Sequence, residues 1–131
     1  KIEGVDFILG DILETKTNEE IIKYFDKKID VVVSDMAINT SGNKSLDAYN
    51  TGQLCLSAMK IALKLLDKNG VFISKIFMGS IYNEINKASK SYFKKVVKYK
   101  PLSSKKESKE IYIFCKGVLK IWYIIYQLFK F

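Results

Sequence analysis

Short apolar runs alternate along the chain with stretches of helical periodicity. Gly4 to Leu9 (GVDFIL) is an apolar run closed by Gly10 and Asp11 and predicts a strand. Thr17 and Glu20 then stand at the T-x-x-E spacing of a capping box. That predicts a helix starting there, with Ile21, Ile22, Tyr24 and Phe25 on its buried face. Asp30 to Ser34 (DVVVS) is β-branched without polar alternation, as expected of a parallel strand covered on both faces, and Asp35 closes it. After a polar loop from Ala37 to Ser45, the residues Leu54, Ala58, Ile61 and Leu65 mark a helix over about 47–66, stopped at Asn69-Gly70. Val71 to Phe77 predicts a third strand. Ile81, Ile85, Ala88 and Tyr92 mark a third helix, and Val96 to Lys100 and Ile111 to Lys116 predict two more strands.

This order specifies an open α/β sheet with helices on both faces. The last connection is too short for a helical crossover, so the last strand is expected to run antiparallel to its neighbour. Ligands of such sheets bind beyond the carboxyl ends of the parallel strands. Asp11 and Asp35 follow strand ends, Lys75 lies near the end of a third, and Glu110 begins the antiparallel one, so the topology brings all four to one edge. Lys75 stands out because VFISKIF otherwise reads as a buried strand, where an unpaired ammonium is costly, so it calls for acidic partners. The bland alternative is a Lys that snorkels to water.

Composition narrows the chemistry. The 131 residues fit one domain or a piece of one. All 22 basic residues are Lys against 14 acids, and His is absent, which removes Ser/His/Asp and Cys/His nucleophiles and His-ligated zinc. No metal is expected. Cys55 and Cys115 lie in apolar contexts without CxxC spacing and read as buried thiols of a reducing compartment. The net charge of +8 favours an anionic partner. Seven Lys fall between Lys94 and Lys109 against the single acid Glu107. This segment reads either as a protected sheet edge or as a contact for an RNA backbone.

The segments VVVSDMAINTSG (31–42), GVFISKIFMGS (70–80) and KPLSSKKESKEIYIFCKG (100–117) resemble the FtsJ-like, or RrmJ-type, ribosomal RNA large-subunit 2'-O-ribose methyltransferases. GVDFILGD (4–11) is similar to the family's third strand and its following acid. The resemblance implies a Rossmann-like methyltransferase sheet over residues 1–117 and S-adenosylmethionine as cofactor. It also implies ribosomal RNA, or the large ribosomal subunit, as partner. Asp35, Lys75 and Glu110 match three of the family's Lys-Asp-Lys-Glu tetrad, with Lys75 as base and Asp35 also beside the cofactor. Asp11 matches the acid at the adenine. Asn39, Ser104, Lys100, Lys105 and Lys106 are expected on the RNA side. The family's first tetrad Lys, its glycine-rich first strand and turn, and its ribose-binding acid have no counterpart here, so the sheet is expected to lack its first strands. The chain alone is accordingly expected neither to bind the cofactor with ordinary affinity nor to turn over. Ile38 stands where the family has Pro. A messenger-cap 2'-O-methyltransferase, or an inactive member kept for RNA binding or structure, are the alternative readings.

Residues 118–131 form an apolar tail too short to cross a bilayer, for which ~20 residues are needed. The expectation is a monomer without a membrane partner, in the cytoplasm or an organelle.

Overall fold

In a computed structural model of the chain, residues 2–36, 41–79, 81–101 and 109–119 are described. They form three helices and four strands: α1 (Thr15–Tyr24), β1 (Ile29–Ser34), α2 (Lys44–Leu65), β2 (Leu66–Phe77), α3 (Tyr82–Tyr92), β3 (Phe93–Tyr99) and β4 (Glu110–Val118). The strands make one sheet in the order β1-β2-β4-β3. β1 is parallel to β2, and β4 enters between β2 and β3, antiparallel to both. The α/β class and the direction of the last strand agree with the sequence. β4 lies inside the sheet, and β3 takes the edge.

The core is the face covered by α2 and α3. Phe72 and Ile76 of β2, Ile111, Ile113 and Cys115 of β4, and Phe93 of β3 pack there against Cys55, Met59, Leu63 and Ile85. Burying a side chain of this size is worth about 1.5–3 kcal/mol. Phe72 and Phe93 stack with ring centroids 6.2 Å apart. Both thiols are buried, as their surroundings in the sequence suggest.

The opposite face is barely covered by the described residues. Val31 and Val33 are 51% and 63% exposed, so β1 is half-buried rather than covered on both faces, because the described helices of the core pack on one side only. Residues 4–9 form no strand. Among the described residues they have no neighbouring strand to complete a hydrogen-bond ladder. Val5, Phe7 and Leu9 are left exposed, and the Tyr24 hydroxyl donates to Asp6.

Other boundaries also moved. α1 begins at Thr15, not Thr17, and its N-cap residue Glu14 makes no side-chain cap. Thr17 is buried instead, packed so closely on Gly10 that a Cβ there would meet its Oγ1 at 2.6 Å. The start comes from a turn in which the Glu14 N–H donates to the Asp11 carbonyl (3.0 Å). Of the predicted buried face, Ile21 and Ile22 are half-buried and Tyr24 and Phe25 exposed. α2 is capped by Asn43, whose side chain accepts from the N–H groups of Ser45 and Leu46. It ends at Leu65, and the chain passes directly into β2. Asn69-Gly70 therefore lies in the strand, near the irregularity in register between Ile29 and Val31 of β1.

Candidate active site at the carboxyl edge of the sheet

Register places the charged residues. Ser34 of β1 pairs with Ser74 of β2, so the next residues, Asp35 and Lys75, are neighbours. Across the antiparallel ladder Lys75 faces Tyr112, and Phe77 faces Glu110. Alternation then turns Lys75, Glu110 and Tyr112 to the face opposite the core. The Met78 N–H donates to the Lys109 carbonyl at 2.9 Å, which carries the pairing past the end of both strands.

The Lys75 ammonium lies 3.1 Å from Asp35 Oδ1 and 3.9 Å from Glu110 Oε2. Its side chain is only 14% exposed, against 61% for Asp35 and 33% for Glu110. Lys75 is thus sunk between two more accessible carboxylates, the partners its apolar strand calls for. The Tyr112 hydroxyl donates to Asp35 Oδ1 at 3.3 Å. Lys100 Nζ donates to the Glu110 carbonyl at 3.3 Å, tying the start of the basic loop to the site.

Burial pulls the Lys75 pKa down. The hydrogen bond and charge of Asp35, with the charge of Glu110, more than offset it and leave the group above its ordinary 10.5. In this state Lys75 is an ammonium at neutral pH. Burial, then the carboxylates of Asp35 and Glu110, push the Tyr112 phenol above 10.0, so it remains a hydrogen-bond donor.

Asp11 does not join this cluster. Among the described residues its carboxylate makes one hydrogen bond, accepting from the Leu13 N–H at 2.9 Å. An Asp just before a helix closes its own turn when no strand beside it holds it in line with the sheet edge. Its neighbour Ile12 does line a cleft of about 310 Å³ running along the open side of β1, with Phe25, Val33 and Met36 among its walls. Among the described residues, Asp35 is the one charged residue on that lining. Apolar walls with a carboxylate fit a cofactor that joins a flat base to a sulfonium cation. No G-x-G turn for the rest of such a molecule stands among the chain's 7 glycines.

Asn39, Ser104, Lys105 and Lys106 lie outside the described residues. The other members of the basic segment, Lys94, Lys95, Lys98, Lys100 and Lys109, are exposed. Lys98 stands 5.2 Å from the centroid of the Tyr82 ring. Because β3 is an edge strand, these charges also serve the protective role open to edge lysines. Tyr112 is the residue of the site to which the sequence assigns no role. It lies in the segment KPLSSKKESKEIYIFCKG (100–117), and its spacing of two from Glu110 is the signal that both share a face. Among the described residues no group of His, Cys, Asp and Glu could hold a metal ion, and no helix is long and apolar enough to cross a membrane.

The chain has clear relatives. It is 49% identical over 116 residues to the ribosomal RNA large subunit methyltransferase E of Pelagibacter ubique, a match covering 88% of this chain and 57% of that protein. Its identity to the protein of the same name from Rickettsia akari is 47% over 112 residues, covering 86% and 49%. Among solved structures it superposes on a Plasmodium falciparum protein described as a ribosomal RNA methyltransferase, with a TM-score of 0.77 and 32% identity, covering 91% of this chain and 66% of that one. The chain spans about half the length of the curated relatives it matches. The model of the FtsJ-like methyltransferases matches residues 1–118, and with the identities above this establishes that the chain belongs to the FtsJ-like methyltransferase family.

Proposed function

We propose that residues 1–117 form the part of an RNA 2'-O-ribose methyltransferase that holds its proton-handling groups, acting on ribosomal RNA of the large subunit. The observation that carries this reading is Lys75 held between Asp35 and Glu110 beside a cleft bordered by the same Asp35. The chemistry that S-adenosylmethionine supplies to such a site is a methyl group on a sulfonium cation, open to attack by a hydroxyl oxygen. Lys75 Nζ takes the proton of the ribose 2'-hydroxyl, and Asp35 and Glu110 orient the amine toward it. Lys75 must first lose its own proton. Its raised pKa in the resting site rests on the charge of Asp35, so a cation set against Asp35 weakens that hold and prepares the amine. Asp35 is the side chain proposed to face the cofactor, at its sulfonium end. Lys100, Lys105 and Lys106, with Asn39 and Ser104, are proposed for the RNA side. There Lys contributes charge to backbone contacts rather than base recognition.

The remainder of the cofactor cradle is proposed to come from residues equivalent to the relatives' unmatched length. The test is a chimera in which this chain replaces the matched stretch of the Pelagibacter ubique relative. Supplied with labelled cofactor and large-subunit RNA, it is expected to place label on ribose, giving an alkali-resistant dinucleotide. A folded chimera that methylates a base, or nothing, contradicts the reading.

A further inference from the structure

Asp35 is the residue immediately after β1, and its carboxylate is 61% exposed. A Lys–Asp pair with so accessible a carboxylate is ordinarily loose and worth roughly 0.2–1 kcal/mol. Register sets Asp35 beside Lys75 but leaves its carboxylate free to rotate. A second donor reaches it. Tyr112 lies directly across the β2–β4 ladder from Lys75, so its ring runs along the same face as the Lys75 stem, and opposed Cβ atoms of such pairs lie ~5 Å apart. The hydroxyl ends 3.3 Å from Asp35 Oδ1, the same oxygen that Lys75 Nζ approaches to 3.1 Å.

We propose that Tyr112 is a positioning residue of this site: its hydroxyl holds the Asp35 carboxylate in place, and through Asp35 it fixes the Lys75 ammonium. The charged groups facing Tyr112 are Asp35, Glu110 and Lys75. The two carboxylates keep the phenol protonated, so the contact persists through the neutral range. Its importance for methyl transfer rests on the reading above. The contact and its effect on Lys75 do not.

The experiment therefore uses the ligand-free full chain and needs no turnover. Exchange of the Lys75 ammonium protons with water is measured near pH 6 by nitrogen-edited NMR, with the signal identified by its loss in Lys75→Gln. Tyr112→Phe keeps the ring and removes the donor, and Tyr112→Met is a second donor-free variant. Either is expected to speed exchange at Lys75 by roughly 1.4- to 5-fold, the range that the worth of an exposed pair allows. In an Asp35→Ala background the same change is expected to have no effect, because the acceptor that links Tyr112 to Lys75 is gone. Unchanged exchange in both donor-free variants, or an equal acceleration without the Asp35 carboxylate, overturns the proposal. Accelerated exchange together with an inactive chimera would leave the positioning role standing and sink the methyl-transfer reading instead.

Discussion

Distance ranks the two carboxylates at Lys75. Asp35 Oδ1 is within hydrogen-bond range at 3.1 Å, whereas Glu110 Oε2 at 3.9 Å contributes charge alone. In the chimera, Asp35→Asn is therefore expected to lower the rate of methyl transfer about tenfold more than Glu110→Gln, since it removes the main charge and leaves only a neutral acceptor for the orienting bond. Equal losses would mean that the two acids act alike and that the resting geometry does not describe the working one. At this scale the sequence was informative because Lys is so poorly suited to an apolar strand. VFISKIF identifies Lys75 without any motif, and strand ends identify Asp35 and Glu110. Asp11 is the counterexample. The same strand-end logic placed it at the site, yet its carboxylate accepts a hydrogen bond from its own turn, at the Leu13 N–H.

Elements with a partner within the described chain were legible, and elements without one were not. α2, β2, α3 and β4 form a single core, and their apolar spacing located all four to within a few residues. Residues 4–9 carry an equally apolar run but meet no strand to pair with, so local propensity did not suffice. The capping box failed similarly, because packing on Gly10 buried Thr17. The junction of α2 and α3 shows how tight the formed core is. A Cβ on Gly52 would lie 2.7 Å from Ile81 Cγ2, and Ile81 is 3% exposed. Gly52→Ala gains up to ~1 kcal/mol in helix propensity, but overpacking of this kind costs about 1–3 kcal/mol. Denaturant unfolding is expected to show a net loss of about 1 kcal/mol. A stabilised variant would show that Ile81 moves aside freely.

Among the described residues, burial lowers Lys28, while both core thiols and the two groups paired at the site are raised. Burial raises the Cys55 thiol to about 11 and the Cys115 thiol to about 12, against an ordinary 9.0. Lys75 and Tyr112 are raised as well. A raised folded-state pKa means that the folded chain holds protons the unfolded chain releases. The resulting stability is complete below about pH 9 and declines as pH rises toward the folded values. Unfolding free energies at pH 8 and pH 10.5 are expected to differ by about 2 kcal/mol or more. A Cys55→Ala, Cys115→Ala double variant should show a shallower decline, whatever its starting stability. Parallel declines in the two proteins would assign the alkaline loss to other groups.

The same scale sets this chain beside its relatives. It matches the family from residue 1 to residue 118 and spans 57% and 49% of two named relatives, and among the described residues Val31 and Val33 of β1 are exposed beside a cleft bordered by Asp35. The groups proposed to handle the proton lie together among the described residues, with Lys75 at their centre. The most direct measurement is the initial rate of labelled methyl transfer to large-subunit RNA by the chimera and by its Lys75→Ala form, with folding of both checked by their thermal transitions. The expected result is ribose labelling by the first and a rate at least ~100-fold lower for the second. A Lys75→Ala chimera that transfers methyl groups at an undiminished rate would contradict the assignment of Lys75, and with it the proposed centre.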